Sequence, residues 1–231
     1  MIVEVYTQWD DIDVYFPEYN WTAKHMEYSQ FKKGQIKCPY EPRVCNIGYI
    51  GEGIYSHKSH PNHYEHWRAM LNRCTNNKEA YKDCIINNKW LNFQNFAEWF
   101  DEYYYEIPNE VMCLDKDILI KNNKEYGPNT CCFVPNNINV LFTKRKNYRG
   151  EYPIGIKSKK SNGKYEVSCS ISKNNNKERT YLGVYETIEE AFNAYKEYKE
   201  NYIKQIADEY FSYIPEHIYN ALYNYEVDWN D

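Results

Sequence analysis

Residues 153–195 read PIGIKSKKSNGKYEVSCSISKNNNKERTYLGVYETIEEAFNAY. Three short runs, PIGIKS, KYEVSCSI and ERTYLGVY, are separated by Asn, Gly, Ser and Lys, which predicts three strands joined by polar turns. Along the second run Tyr165, Val167, Cys169 and Ile171 alternate with Glu166, Ser168 and Ser170, so one sheet face is apolar and the other polar. Thr187 followed by Glu190 predicts a capping box at the start of a helix. Ala191, Phe192, Ala194, Tyr195 and Tyr198 give that helix an apolar stripe fit to cover the apolar sheet face. The polar face is then left free.

Charge singles out the same region. Residues 143–182 carry eleven Lys/Arg (Lys144, Arg145, Lys146, Arg149, Lys157, Lys159, Lys160, Lys164, Lys173, Lys177 and Arg179) against three acids, a net of +8 that leaves −13 on the rest of the chain. The overall charge of −5 therefore hides a local basic field, and local field is what steers a phosphate backbone onto a surface. A small twisted sheet with a polar, cation-flanked face suits the major groove, where base edges present distinguishable donors and acceptors.

Composition bounds the rest. Aliphatic residues are sparse and 26 Tyr with 9 Phe must supply much of the core. No run approaches the roughly 20 apolar residues of a membrane span, and MIVEVYTQWDD lacks the basic and apolar regions of a signal peptide. The expected location is the cytoplasm of a bacterial host cell, with no membrane partner. The eight Cys are then expected to be reduced, as small core residues for the most part. No CxxC pair supports a zinc knuckle.

Upstream, residues 1–55 predict a β-rich module: Ile12, Val14 and Phe16 alternate, and KCPYEPRVCNIGYIGEGIY is punctuated by Gly and Pro. Six acids against one base through Phe31 argue against DNA contact there and fit a structural or a protein-binding surface. Asn62 with Glu65 predicts a helix N-terminus, and Trp67, Met70, Leu71 and Cys74 follow at helical spacing. Residues 91–104 repeat Phe93, Phe96, Trp99, Phe100 and Tyr103 in the same period, a core stripe. Residues 111–142 then predict strand, polar turn, strand and short helix.

Two resemblances rest on these residues. The YLGVY, ETIEEA and following AxxAY-like helix of residues 153–195 resemble the Apetala-type, ethylene-response-factor-like domain, also found in phage and mobile-element proteins. That resemblance implies that Lys157, Ser168, Ser170, Arg179 and Tyr181 face double-stranded DNA. The plant members carry arginines and tryptophans at several of these positions, and serines read bases less decisively than a bidentate Arg. HYEHWRAMLNRC, NKWLNFQNFAEWF and LDKDILIKNNKEYGPNTCCFVPNNIN resemble the ββα core of His-Asn-His endonucleases. There an Asp-His pair supplies a metal ligand and a general base. Here Lys116 stands in the place of the His, Thr130 in that of the second-strand Asn, and Asn136 at the helix position. A protonated Lys suits phosphate contact better than proton abstraction. Asp115 and Asp117 remain as candidate magnesium ligands, and are also an ordinary i, i+2 pair on a strand.

His57, His60, His63 and His66 recur every three residues, but Pro61 interrupts them; only His63 and His66 are left as a candidate metal pair, a spacing that exposed histidines also show. The sequence thus predicts an α+β, multi-module chain: a β-rich module at 1–55, a degenerate nuclease-like domain at 56–146, the Apetala-type module at 147–201 and a helical extension at 202–231. Double-stranded DNA binding without a cofactor is the expected function. The DNA contacts expected are Lys144, Arg145, Lys146, Arg149, Lys157, Lys159, Lys160, Lys164, Ser168, Ser170, Arg179 and Tyr181. The alternatives are a magnesium-dependent homing-type endonuclease, and a phage counter-defence protein that binds a host protein through its acidic N-terminal module.

Overall fold

The computed structural model describes residues 1–76, 79–142, 151–159, 163–173 and 176–231. In chain order its elements are β1 (Ile2–Gln8), β2 (Asp11–Phe16), β3 (Trp21–Met26), α1 (Tyr28–Lys32), α2 (Pro61–Thr75), β4 (Ile85–Ile86), α3 (Phe93–Tyr103), β5 (Met112–Asp115), β6 (Glu125–Tyr126), β7 (Cys132–Pro135), α4 (Asn136–Asn139), β8 (Ile156–Lys159), β9 (Lys164–Lys173), β10 (Asn176–Tyr185), α5 (Ile188–Tyr210) and α6 (Glu216–Tyr223). The fold is α+β, with a β-rich N-terminus and a three-stranded sheet plus helix toward the other end. It forms two compact units, Met1–Tyr103 with Lys124–Asn129, and Tyr104–Asn123 with Thr130–Asp231. Among the described residues no helix is long and apolar enough to cross a membrane.

In the first unit β1, β2 and β3 form an antiparallel sheet in that order. The alternation of β2 buries Ile12, Val14 and Phe16 against Ala23, Ile36 and Cys38. Helices α2 and α3 bury Trp67, Met70, Leu71, Phe93, Phe96 and Phe100, and the Trp67 indole N–H donates to the Trp90 carbonyl at 2.7 Å. A Cβ on Gly48 would lie 2.4 Å from Leu71 and 2.8 Å from the Trp67 ring, so only glycine lets that loop pass over α2. The expected Asn62–Glu65 capping box does not form. Helix α2 starts two residues earlier, at Pro61, with His60 and not Asn62 at the N-cap. Proline at the first helical position fixes φ and has no N–H to satisfy, and Glu65 pairs instead with Arg68 at 2.7 Å. Helix α3 carries the whole aromatic stripe but begins at Phe93 and not at Leu91, because Asn88–Leu91 forms a separate 3-10 turn that buries Trp90.

In the second unit β5 and β7 pair antiparallel from Met112↔Pro135 to Asp115↔Cys132, and α4 follows directly, giving a strand–strand–helix element. Strands β10, β9 and β8 form an antiparallel sheet in that order. Helix α5 packs on one face of it, burying Ala191, Phe192 and Tyr195 against Val167, Cys169 and Ile171. The capping box forms as the sequence predicts: Thr187 Oγ1 accepts from the Glu190 N–H, and Glu190 Oε2 from the Thr187 N–H, each at 3.2 Å.

Two expected boundaries fall differently. The stretch 56–146 contributes α2 and α3 to the first unit and its strand–strand–helix element to the second. Position 201 lies inside α5, which runs 23 residues because Tyr202, Ile203, Ile206 and Ala207 continue its buried stripe.

Candidate nucleic-acid interface

Residues directly opposed in an antiparallel ladder project to the same side. Strand β9 is the middle strand, and its Tyr165, Val167, Cys169 and Ile171 turn toward α5; the positions between them define the free face. Lys157 opposes Glu166, Tyr181 opposes Ser168, and Arg179 opposes Ser170. Lys157, Ser170, Arg179 and Tyr181 are exposed, Tyr181 to 61 %. The structure therefore brings together on one side five residues expected to do so: Lys157, Ser168, Ser170, Arg179 and Tyr181. The opposite side of the unit is acidic, since α5 exposes Glu189, Glu190, Glu197, Asp208 and Glu209. On the free face itself Lys157 is opposed by Glu166, and Lys164 is paired with Glu186.

Within that face the roles differ from simple exposure. Ser168 is 9 % exposed, because Arg179 lies over it: Nε and Nη2 donate to Ser168 Oγ at 2.9 and 2.7 Å. Ser168 is thus a support for Arg179 and not an open reader. Lys164 is tied to the Glu186 carboxylate, which draws its charge to the rim. Lys159 pairs with Lys164 in the backbone ladder. Lys144, Arg145, Lys146, Arg149 and Lys160 lie outside the described residues.

The sheet's position on the helix depends on one backbone feature. Gly155 has φ +80°, and a Cβ there would meet the Tyr195 ring at 2.3 Å and the Ser168 carbonyl at 2.8 Å. Its own carbonyl accepts from the Ser168 N–H at 2.9 Å. Glycine at this point brings the loop before β8 down between β9 and α5.

The LDKDI segment is organised differently from a metal site. Asp115 Oδ1 accepts the N–H groups of Asp117 and Ile118 at 2.7 and 2.8 Å, an Asx turn that ends β5, and burial pushes its carboxyl pKa up. Lys116, expected as a phosphate contact, is only 7 % exposed. Its Nζ donates to Asp117 Oδ2 and to the Asn123 carbonyl, both at 2.8 Å, while Asn123 Nδ2 donates back to the Lys116 carbonyl at 2.8 Å. The ammonium closes this loop and already occupies the Asp117 carboxylate. A divalent ion needs accessible, anionic oxygens, so this donor set does not fit one. The Cys113 thiol donates to Asn136 Oδ1 at 3.8 Å, and Thr130 Oγ1 lies 3.9 Å from Cys131 Sγ.

The histidines are engaged separately. His63 Nε2 lies 2.7 Å from Asp101 Oδ1 and its ring stacks on Phe100, whereas His66 Nδ1 is 3.0 Å from the Asn62 carbonyl. Hydrogen bonds from Tyr55 and His63 hold the Asp101 carboxyl below the usual range. No group of three or more His, Cys, Asp or Glu side chains suited to a metal occurs among the described residues. All eight cysteines lie among the described residues, and none of them is in a disulfide.

Two features of the second unit carry no sequence motif. Glu110 accepts from the Tyr210 hydroxyl at 2.6 Å and from Asn137 Nδ2 at 3.1 Å, tying the end of α5 to the strand–strand–helix element. Residues 224–231 form a strap. Lys121 Nζ donates to the Glu226 carbonyl at 2.6 Å and pairs with Asp231 at 3.0 Å, Glu200 Oε1 accepts from the Val227 N–H at 2.7 Å, and Trp229 packs on Phe192. Polar residues 105 positions apart leave no periodicity to read. No protein-family model matches the chain, no curated protein matches it, and no solved structure matches it.

Proposed function

We propose that the protein binds double-stranded DNA through the free face of the β8–β10 sheet. The observation that carries this reading is the alignment of exposed Lys157, Ser170, Arg179 and Tyr181 on one side of a sheet whose other side is covered by α5. A sheet covered by a helix on one side presents its polar side chains on the other, and cations there neutralise phosphates with release of counterions. The acidic outer surface of α5 disfavours the reverse orientation. Binding measured by gel shift against a random duplex is expected to weaken steeply between about 50 and 200 mM salt and to be unchanged by EDTA. Failure to shift any duplex at low salt rules the reading out.

The nuclease alternative is disfavoured by the engagement of Asp115, Lys116 and Asp117 with one another and with backbone groups. A protein-binding role for the N-terminal sheet has one observation in its favour. Tyr6 and Trp9 are 56 % and 66 % exposed on a sheet that also carries Glu4, Asp10, Asp11 and Asp13, an aromatic and acidic surface of the kind enriched at interfaces for its rings. Co-purification of a protein that survives nuclease treatment and is lost in Trp9→Ala tests it.

A further inference from the structure

We propose that Lys199 is a nucleophilic amine and that the cavity around it captures a small aliphatic aldehyde as an imine. The proposal is independent of the DNA-binding reading and concerns a different part of the second unit. Lys199 lies in the buried stripe of α5, between Tyr195 and Tyr202, and is 8 % exposed. Among the described residues no group accepts a hydrogen bond from its Nζ. The acids that could hold an ammonium are engaged elsewhere. Glu200 pairs with Lys196 at 2.8 Å and accepts the Val227 N–H at 2.7 Å. Asp231 pairs with Lys121 at 3.0 Å and accepts the Asp228 N–H at 2.9 Å. Burial pushes the Cys169 thiol up, so no thiolate stands beside Lys199 as a counter-ion near neutral pH.

The amine lines a cavity of ≈ 20 Å³ that opens to solvent, with Leu141, Phe142, Ile154 and Val227 as its apolar wall. That is room for a group little larger than a water molecule. Tyr195, Tyr225 and Asp231 complete the lining. Burial lowers the pKa of the Lys199 amine from 10.5, which raises the share of free base, and the free base is the form that adds to a carbonyl. The Nζ lone pair forms a bond to the carbonyl carbon while the carbonyl π pair moves to oxygen. A proton passes from nitrogen to that oxygen, giving a carbinolamine. Loss of its hydroxyl with the remaining N–H proton, as water, closes the C=N bond. One amine and one aldehyde thus give one imine and one water, with no oxidant or reductant. An uncharged imine suits an apolar wall. Carbon dioxide, by contrast, would leave a carbamate anion in the same cavity as the Asp231 carboxylate.

Reductive trapping of the whole protein with formaldehyde and cyanoborohydride at neutral pH, read lysine by lysine by peptide mass spectrometry, tests this. Lys199 is expected to be alkylated at least about tenfold faster than the exposed Lys33 and Lys58, since each unit of lowered pKa raises the free-base fraction about tenfold. Unfolding in urea is expected to abolish that lead. Benzaldehyde, whose ring exceeds the cavity, is expected to leave Lys199 unmodified in the folded protein. If Lys199 reacts no faster than Lys33 and Lys58 in the folded protein, or keeps its lead in urea, the amine is only a buried side chain and the proposal is overturned. If benzaldehyde reaches it as fast as formaldehyde does, the cavity does not select and the small-aldehyde assignment falls. None of these outcomes bears on duplex binding.

Discussion

At Gly155 the requirement for glycine is double: the backbone is in the left-handed region and the space of a Cβ is filled by Tyr195 and the Ser168 carbonyl. Gly155→Ala therefore adds backbone strain to overpacking, and is expected to cost roughly 2–4 kcal/mol of stability, read as a lowered urea midpoint. Lys199 is a second residue whose environment dictates an outcome. It is buried beneath the sheet, burial lowers its pKa from the ordinary 10.5, and nearby Cys169 acts in the opposite sense. Its cavity is lined by Leu141, Phe142, Ile154, Tyr195, Tyr225, Val227 and Asp231. Because the folded pKa lies below the unfolded one, the unfolded chain binds more protons between the two values, and stability rises as pH rises through that window. Lys199→Met is expected to stabilise the protein by ~1–3 kcal/mol near neutral pH. The gain should fade as pH approaches 10.5. A gain independent of pH would show that the charge is not what costs stability.

The elements divide by how local their causes are. Helix α5 was legible at its start, because Thr187 and Glu190 satisfy each other's backbone donors within four residues. Thr187→Ala is expected to cost about 1 kcal/mol, with helical content measured by circular dichroism little changed below the transition. Its far end was not legible as a continuation: Tyr202, Ile203, Ile206 and Ala207 keep the helical period, but nothing in the sequence says that they stay in one helix with Ala191 and Tyr195. Strands β9 and β10 were legible through alternation, and β2 through Ile12, Val14 and Phe16. The start of α2 was misread, since Asn62 and Glu65 match a capping pattern that Pro61 displaces by fixing the first helical residue. Candidate site residues followed the same rule. Lys157, Ser170, Arg179 and Tyr181 came out on the expected face because strand geometry fixes them. Lys116 did not remain a surface contact, because Asn123, seven residues on, supplies the carbonyl that holds its ammonium.

For the whole molecule, the second unit gathers its sheet, α5 and the strand–strand–helix element around the strap of residues 224–231. Val227 is buried and Trp229 covers Phe192. Removing residues 225–231 is expected to lower the thermal midpoint of this unit by a few degrees, since burial of Val227 and the packing of Trp229, still 40 % exposed, on Phe192 are together worth roughly 2 kcal/mol. Retention of the full midpoint would show that the strap only lies on the surface. The sequence by itself determined the α+β class, the three-strand-plus-helix pattern and the location of the basic field, because alternation, helical period, caps and charge runs act over a few neighbouring residues. Only the tertiary structure decided the partition of residues 56–146 between two units, the closure of the Lys116 loop, and the seat of Arg179 on Ser168. Each of these depends on hydrogen bonds or packing contacts whose partners the sequence does not mark as pairs.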